Sequence, residues 1–150
     1  AVMLLCEAAA YYKEKGFTLW DQMINLYDKY GYYKEGITQV TLEGIEGAKK
    51  IQEILKNLRE NPPKTIGNYK VEKIRDYQEE TILDCKTKQI TKTGLPISNV
   101  LYYELENKAW CCIRPSGTEP KIKYYVGIKG DSIQDAQEKL ENLIESLKRL

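Results

Sequence analysis

The 150-residue sequence contains no histidine, a single phenylalanine and four cysteines. Without histidine the chain has no imidazole for acid–base chemistry, and none to join cysteine in the usual zinc sites. The cysteines (Cys6, Cys85, Cys111 and Cys112) form no Cys-x-x-Cys pair, so no metal site is expected. They read as reduced, partly buried thiols of a cytoplasmic protein. In a strand, Cys111 and Cys112 would point to opposite faces. No apolar run approaches the roughly eighteen residues that a membrane-spanning helix needs. The charge is nearly balanced, with 23 Lys+Arg against 22 Asp+Glu and a net charge of +1. That balance argues against a general nucleic-acid or membrane-surface binder. The opening AVMLLCEAAAYYKEKG has no basic residue ahead of its apolar stretch, which makes it a poor secretion signal. It starts on Ala1 rather than Met, which predicts a piece of a longer protein.

What is present is patterned. Hydrophobic residues make up 42% of the chain, enough to bury a core. Val2, Leu5, Ala9 and Tyr12 share one face of a first helix that ends near Gly16. Thr18 caps a second helix, with Asp21 in its first turn and a stripe of Trp20, Met23, Ile24, Tyr27 and Tyr30 before Gly31. These two helices have no core of their own and read as the tail of an upstream domain. A short strand is expected over Ile37 to Leu42. A third helix follows to about Arg59, striped by Ile45, Ala48, Ile51, Leu55 and Leu58 and ended by Asn61-Pro-Pro63. Tyr69 to Tyr77 predicts a strand. Residues 78–99 are polar, with a strand around Thr81–Cys85 and then a long loop.

The second half alternates strictly. Leu101, Tyr103 and Leu105, then Cys111 and Ile113, then Ile122, Tyr124, Val126 and Ile128 fall on every second position. Glu106-Asn107 turns the first of these strands into the next. Ser132 with Asp135 caps a last helix striped by Ile133, Ala136, Leu140, Leu143, Leu147 and Leu150. Consecutive strands with helices before and after predict an α+β fold, an antiparallel sheet with helices on one face.

One segment carries chemistry: Arg114-Pro-Ser-Gly-Thr-Glu-Pro-Lys-Ile-Lys123, between two strands. Arg114 offers a planar, permanently charged fork for two phosphate oxygens. Ser116 and Thr118 offer hydroxyl donors. Gly117 lets backbone N–H groups approach an anion closely. Two prolines stiffen the loop. Lys123, on the strand face opposite Ile122 and Tyr124, adds a second charge. Glu119 opposes an anion unless its carboxylate turns away or orients a basic residue. The same composition also suits an ordinary tight hairpin loop. Elsewhere, Leu42-Glu-Gly-Ile-Glu-Gly47 is neither a P-loop nor a dinucleotide fingerprint and reads as a helix entry. Glu79-Glu80 and Asp131/Asp135 sit in loop or cap contexts and suggest no acid–base pair.

Arg-Pro-Ser-Gly-Thr-Glu-Pro followed by Lys-Ile-Lys-Tyr-Tyr-Val126 resembles the C-terminal signature of the α-D-phosphohexomutases, the phosphoglucomutases, phosphomannomutases and phosphoglucosamine mutases. Tyr30-Gly-Tyr-Tyr-Lys-Glu35, Leu42-Glu-Gly-Ile-Glu-Gly47 and Asn61-Pro-Pro63 resemble the larger phosphoglucomutase branch. The resemblance implies a TATA-binding-protein-like C-terminal domain over residues 34–150, preceded over 1–33 by the last helices of the third domain. It implies that Arg114, Ser116, Gly117, Thr118 and Lys123 bind the phosphate that is not transferred. Lys there keeps the charge of a position often held by Arg but loses the fork. The implied reaction interconverts hexose 1-phosphate and 6-phosphate by intramolecular phosphoryl transfer. The implied ligands are glucose 1-phosphate, glucose 6-phosphate and glucose 1,6-bisphosphate, and the implied partners are the other three domains.

The family's serine loop, magnesium-binding aspartate loop and sugar-recognition loop are not found in this sequence. The Mg2+ ion and the phosphoserine are therefore expected outside this chain, which holds no catalytic or metal residue and is not expected to turn over alone. Two other readings stand beside this one. One is a non-catalytic sugar-phosphate-binding module using the same loop. The other is a β-sheet nucleic-acid module built on Lys121-Ile-Lys-Tyr-Tyr-Val126, against which stand the near-zero charge and the opposite facing of Tyr124 and Tyr125.

Overall fold

Two periodicities build the molecule, a repeat of two in the strands and of three to four in the helices. The structure is a computed structural model and describes residues 1–149. Leu150 and the side chain of Ile45, both expected in apolar stripes, lie outside the described residues. The chain runs α1 (Val2–Glu14), α2 (Leu19–Tyr30), β1 (Tyr32–Thr41), α3 (Gly44–Glu60), β2 (Thr65–Ile66), β3 (Tyr69–Asp76), β4 (Thr81–Asp84), β5 (Ile90–Lys92), β6 (Leu101–Leu105), β7 (Trp110–Pro115), β8 (Lys121–Gly130) and α4 (Ile133–Leu147). A single 3-10 turn, Glu106–Lys108, joins β6 to β7.

The strands form one antiparallel sheet in the order β1-β8-β7-β6-β3-β4-β5, with β2 added to β3. Its inner face carries Leu101, Tyr103, Leu105, Cys111, Ile113, Ile122, Tyr124, Val126 and Ile128, all buried. Ile51, Leu55 and Leu58 of α3 join that cluster, as do Ala136, Leu140, Leu143 and Leu147 of α4. Both helices therefore cover the same face, and the α+β expectation holds. Each fully buried Leu or Ile adds about 1.5–3 kcal/mol relative to exposure. The opposite face carries Trp110, Cys112, Arg114, Lys123 and Tyr125. On it Tyr102 and Trp110 stack with ring centroids 5.5 Å apart.

The helix starts follow the expected chemistry. Thr18 and Asp21 form a reciprocal capping box at α2. Ser132 accepts the Asp135 N–H at 3.1 Å at the start of α4. Among the described residues, α1 and α2 bury no side chain.

Several expectations need correction. β1 begins at Tyr32, five residues before the expected Ile37, because all ten of its residues pair with β8. The polar stretch expected to be a long loop contains β5, an exposed edge strand held by β4. β2, which pairs with β3, had no sequence signal. Ala48 and Ile133, expected in apolar stripes, are exposed. In β3 the alternation breaks between Val71 and Lys73, where a bulge returns Val71 and Ile74 to the same inner face.

Candidate functional site

The segment 114–123 sits where β7 passes into β8, at one end of the sheet. Strand pairing runs up to its base. Arg114 is opposite Lys123 and Pro115 is opposite Ile122. The Ser116 N–H donates to the Lys121 carbonyl at 2.8 Å and closes the loop. The Lys121 N–H donates to the Glu119 carbonyl at 2.8 Å. A further tie comes from outside the hairpin, where the Leu42 N–H donates to the Pro120 carbonyl at 2.9 Å. That contact anchors the loop to the β1–α3 connection. Gly47 makes the same connection tight: a Cβ there would lie 1.9 Å from the Leu42 carbonyl oxygen. Any side chain at 47 would push α3 away from the loop.

Within this frame the donors are free. Among the described residues, the N–H groups of Gly117, Thr118 and Glu119 and the hydroxyls of Ser116 and Thr118 have no acceptor. Three consecutive N–H groups without an intramolecular acceptor are available to an anion. Gly117 does not take a left-handed φ, and a Cβ on it would meet nothing within 4 Å. The chain itself therefore does not demand glycine there.

The charges are arranged unevenly. Ile113, Ile122 and Tyr124 point into the core, so Arg114 and Lys123 share the outer face as direct cross-strand neighbours. Among the described residues neither forms an ion pair. Glu119 does, with Lys121, whose side chain is 15% exposed. The hydrogen bond and charge of Lys121 hold the Glu119 carboxyl below the usual carboxylate range, and Lys123 adds a smaller pull. The Glu119 carboxylate thus carries an adjacent cation. Cys112, two residues from Arg114 on the same face, is half-buried. Burial pushes its thiol up, partly offset by Arg114.

An open cavity of about 480 Å³ lies on the helix side of the loop. It is lined by Gly44, Ala48, Ile51, Gln52 and residues 115–120. Arg114 and Lys123 are not in its lining. The structure therefore brings Ser116, Gly117 and Thr118 to both the cavity and the strand ends, and sets Arg114 with Lys123 on the outer face. The sequence left open that Glu119 orients a basic residue without saying which; in the structure that residue is Lys121. Tyr124 is buried and Tyr125 is half-buried on the outer face. Among the described residues no three His, Cys, Asp or Glu side chains converge as a metal site. No helix among them is long and apolar enough to cross a membrane.

No family model matches the sequence. The chain is 36% identical over 145 residues to a phosphoglucomutase from Staphylococcus aureus strain MRSA252. It is 35% identical to the phosphoglucomutase of strain MSSA476. Both alignments cover 97% of this chain and 26% of the relative. Among solved structures, the open form of the phosphoglucomutase pp63/parafusin from Paramecium is 16% identical, with a TM-score of 0.48 over 92% of this chain and 23% of that one. The chain thus spans about a quarter of the length of the curated relatives it matches. Identity of 36% across 97% of its length makes this chain a relative of the phosphoglucomutases, over a stretch equal to about a quarter of their length.

Proposed function

We propose that the 114–123 segment grips the non-transferring phosphate of a hexose phosphate in a phosphohexomutase that interconverts 1- and 6-phosphates. One observation carries the reading. Arg114 and Lys123 are like charges placed directly opposite each other, with no ion-pair partner among the described residues. Such a pair is unfavourable on its own. A phosphate dianion would relieve both charges, and the loop that follows Arg114 carries N–H groups and hydroxyls able to join its shell. Arg114 supplies the fork, Lys123 a point charge, Ser116 and Thr118 hydroxyl donors. The open space at Gly117 gives room for close approach.

In the parent enzyme this contact lies remote from the bond that breaks. It orients the sugar phosphate as well as adding affinity. The transferring phosphoserine and the Mg2+ ion belong to parts of the parent outside this chain, and glucose 1-phosphate, glucose 6-phosphate and glucose 1,6-bisphosphate are the ligands that fit. The four cysteines are all free, which supports a reducing, cytoplasmic setting.

The test is an amide NMR titration of the chain with glucose 6-phosphate, with glucose as control. Saturable shifts are expected at Ser116, Gly117 and Thr118 with the ester alone. Arg114→Ala should lose about 1.5–3 kcal/mol, roughly one to two decades in affinity. Shifts with glucose alone, or a loss under tenfold, would remove Arg114 as the anchor.

A further inference from the structure

We propose that Lys121 is a positioning residue of the phosphate loop, holding and neutralising the Glu119 carboxylate so that it does not repel the anion bound beside it. The inference rests on the phosphate-binding reading above. The loop and its flanks carry four charges: Arg114, Glu119, Lys121 and Lys123. Among the described residues, Glu119 with Lys121 is the ion pair of that set. The two side chains differ in exposure, 59% for Glu119 and 15% for Lys121. The lysine is therefore the covered partner and the carboxylate the accessible one. A bare carboxylate in that position would face any incoming phosphate.

The backbone enforces the pairing. Pro120 lies between the two residues and fixes its own φ near about −65°. Its carbonyl is tied to the Leu42 N–H at 2.9 Å, and the Lys121 N–H is tied to the Glu119 carbonyl at 2.8 Å. Both residues are thus locked in backbone as well as side chain. Glu119 also borders the loop cavity with Ser116, Gly117 and Thr118, one residue along the chain from Thr118. The carboxyl is held below the usual range and stays ionised wherever a phosphate ester is dianionic. Compensation is therefore needed under all working conditions. Lys121 provides it locally and leaves Arg114 and Lys123 free for the ligand.

A charge-specific cycle tests this. Binding of inorganic phosphate and of glucose 6-phosphate would be measured on the chain and on Lys121→Gln, Glu119→Gln, Lys121→Arg and the double Glu119→Gln/Lys121→Gln. Retained amide dispersion of the sheet would verify folding in each. Lys121→Gln should weaken binding roughly tenfold, as expected for an uncompensated like charge near the ligand. Glu119→Gln should bind at least as tightly as the parent. The double variant and Lys121→Arg should both return to within about threefold of it. A general packing role for Lys121 would not be rescued by removing Glu119. Unchanged binding in Lys121→Gln, or a double variant as weak as Lys121→Gln, would overturn the proposal. A folded parent chain that binds neither ligand would sink the phosphate reading itself, and this inference with it.

Discussion

The ion pair between Arg59 and Asp76 ties the end of α3 to β3, and breaking it should destabilise the scaffold measurably. Arg59, in the last turn of α3, donates through Nε to Asp76 Oδ2 at 2.8 Å and through Nη2 to Asn99 Oδ1 at 2.7 Å. The other Asp76 oxygen accepts the Gln78 N–H at 2.9 Å, so the same carboxylate shapes the β3–β4 turn. The two side chains are only 14% and 11% exposed. Asp76→Ala removes the carboxylate and leaves a largely buried guanidinium with Asn99 alone. Removing one partner of such a pair costs about 3–5 kcal/mol. The residual contact to Asn99 places the expected loss at the lower end, about 3 kcal/mol. For a domain of this size each kcal/mol shifts Tm by about 2–4 °C, giving a fall of roughly 6–12 °C. Replacing both partners, Arg59→Met with Asp76→Leu, should recover at least half of that loss, because no charge remains stranded. Thermal unfolding followed by circular dichroism reads both. A fall below about 2 °C in Asp76→Ala, or a double variant losing the sum of the single losses, would refute the reasoning.

Gly127→Ala should disturb the outer face, since its Cβ would lie 2.2 Å from the Trp110 indole nitrogen. The ring must leave its stack on Tyr102, with a loss of about 1–3 kcal/mol and a changed Trp110 emission in a Trp20→Phe background; unchanged emission would count against the stacking. Cys111 is fully buried and burial pushes its thiol far up, while Cys6 is exposed. Alkylation of the native chain at neutral pH should therefore modify Cys6 first and reach Cys111 only on unfolding, as read by mass spectrometry. The carboxyls of Asp21, Asp84, Glu119, Asp135 and Glu145 are each held below their ordinary values by hydrogen bonds or a neighbouring lysine. Their contribution to stability is present above the ordinary carboxylate values and is lost as pH falls through the lower folded values. Urea midpoints should thus drop steadily below about pH 4, and a midpoint flat down to about pH 2 would contradict these shifts.

Much of the fold and part of the site were legible before any coordinates, because their causes are local. The alternation Ile122, Tyr124, Val126, Ile128 fixes which side of β8 is buried, and hence that Lys123 faces away from the core. Thr18 with Asp21, and Ser132 with Asp135, start their helices through contacts within four residues. The unbroken Arg114–Pro120 run pointed to the family that the relatives share. Tertiary structure alone decided the rest. β1 is ten residues long because β8 offers ten residues to pair with, and β5 is a strand because β4 lies beside it. The bulge in β3 and the covered edge of Gly127 depend on neighbouring strands. So does the juxtaposition of Arg114 with Lys123, nine positions apart yet in register. Side-chain period and capping are set by the residues themselves. Register, strand length and the identity of a charge's neighbour are set by backbone donors and acceptors that only the folded sheet brings together.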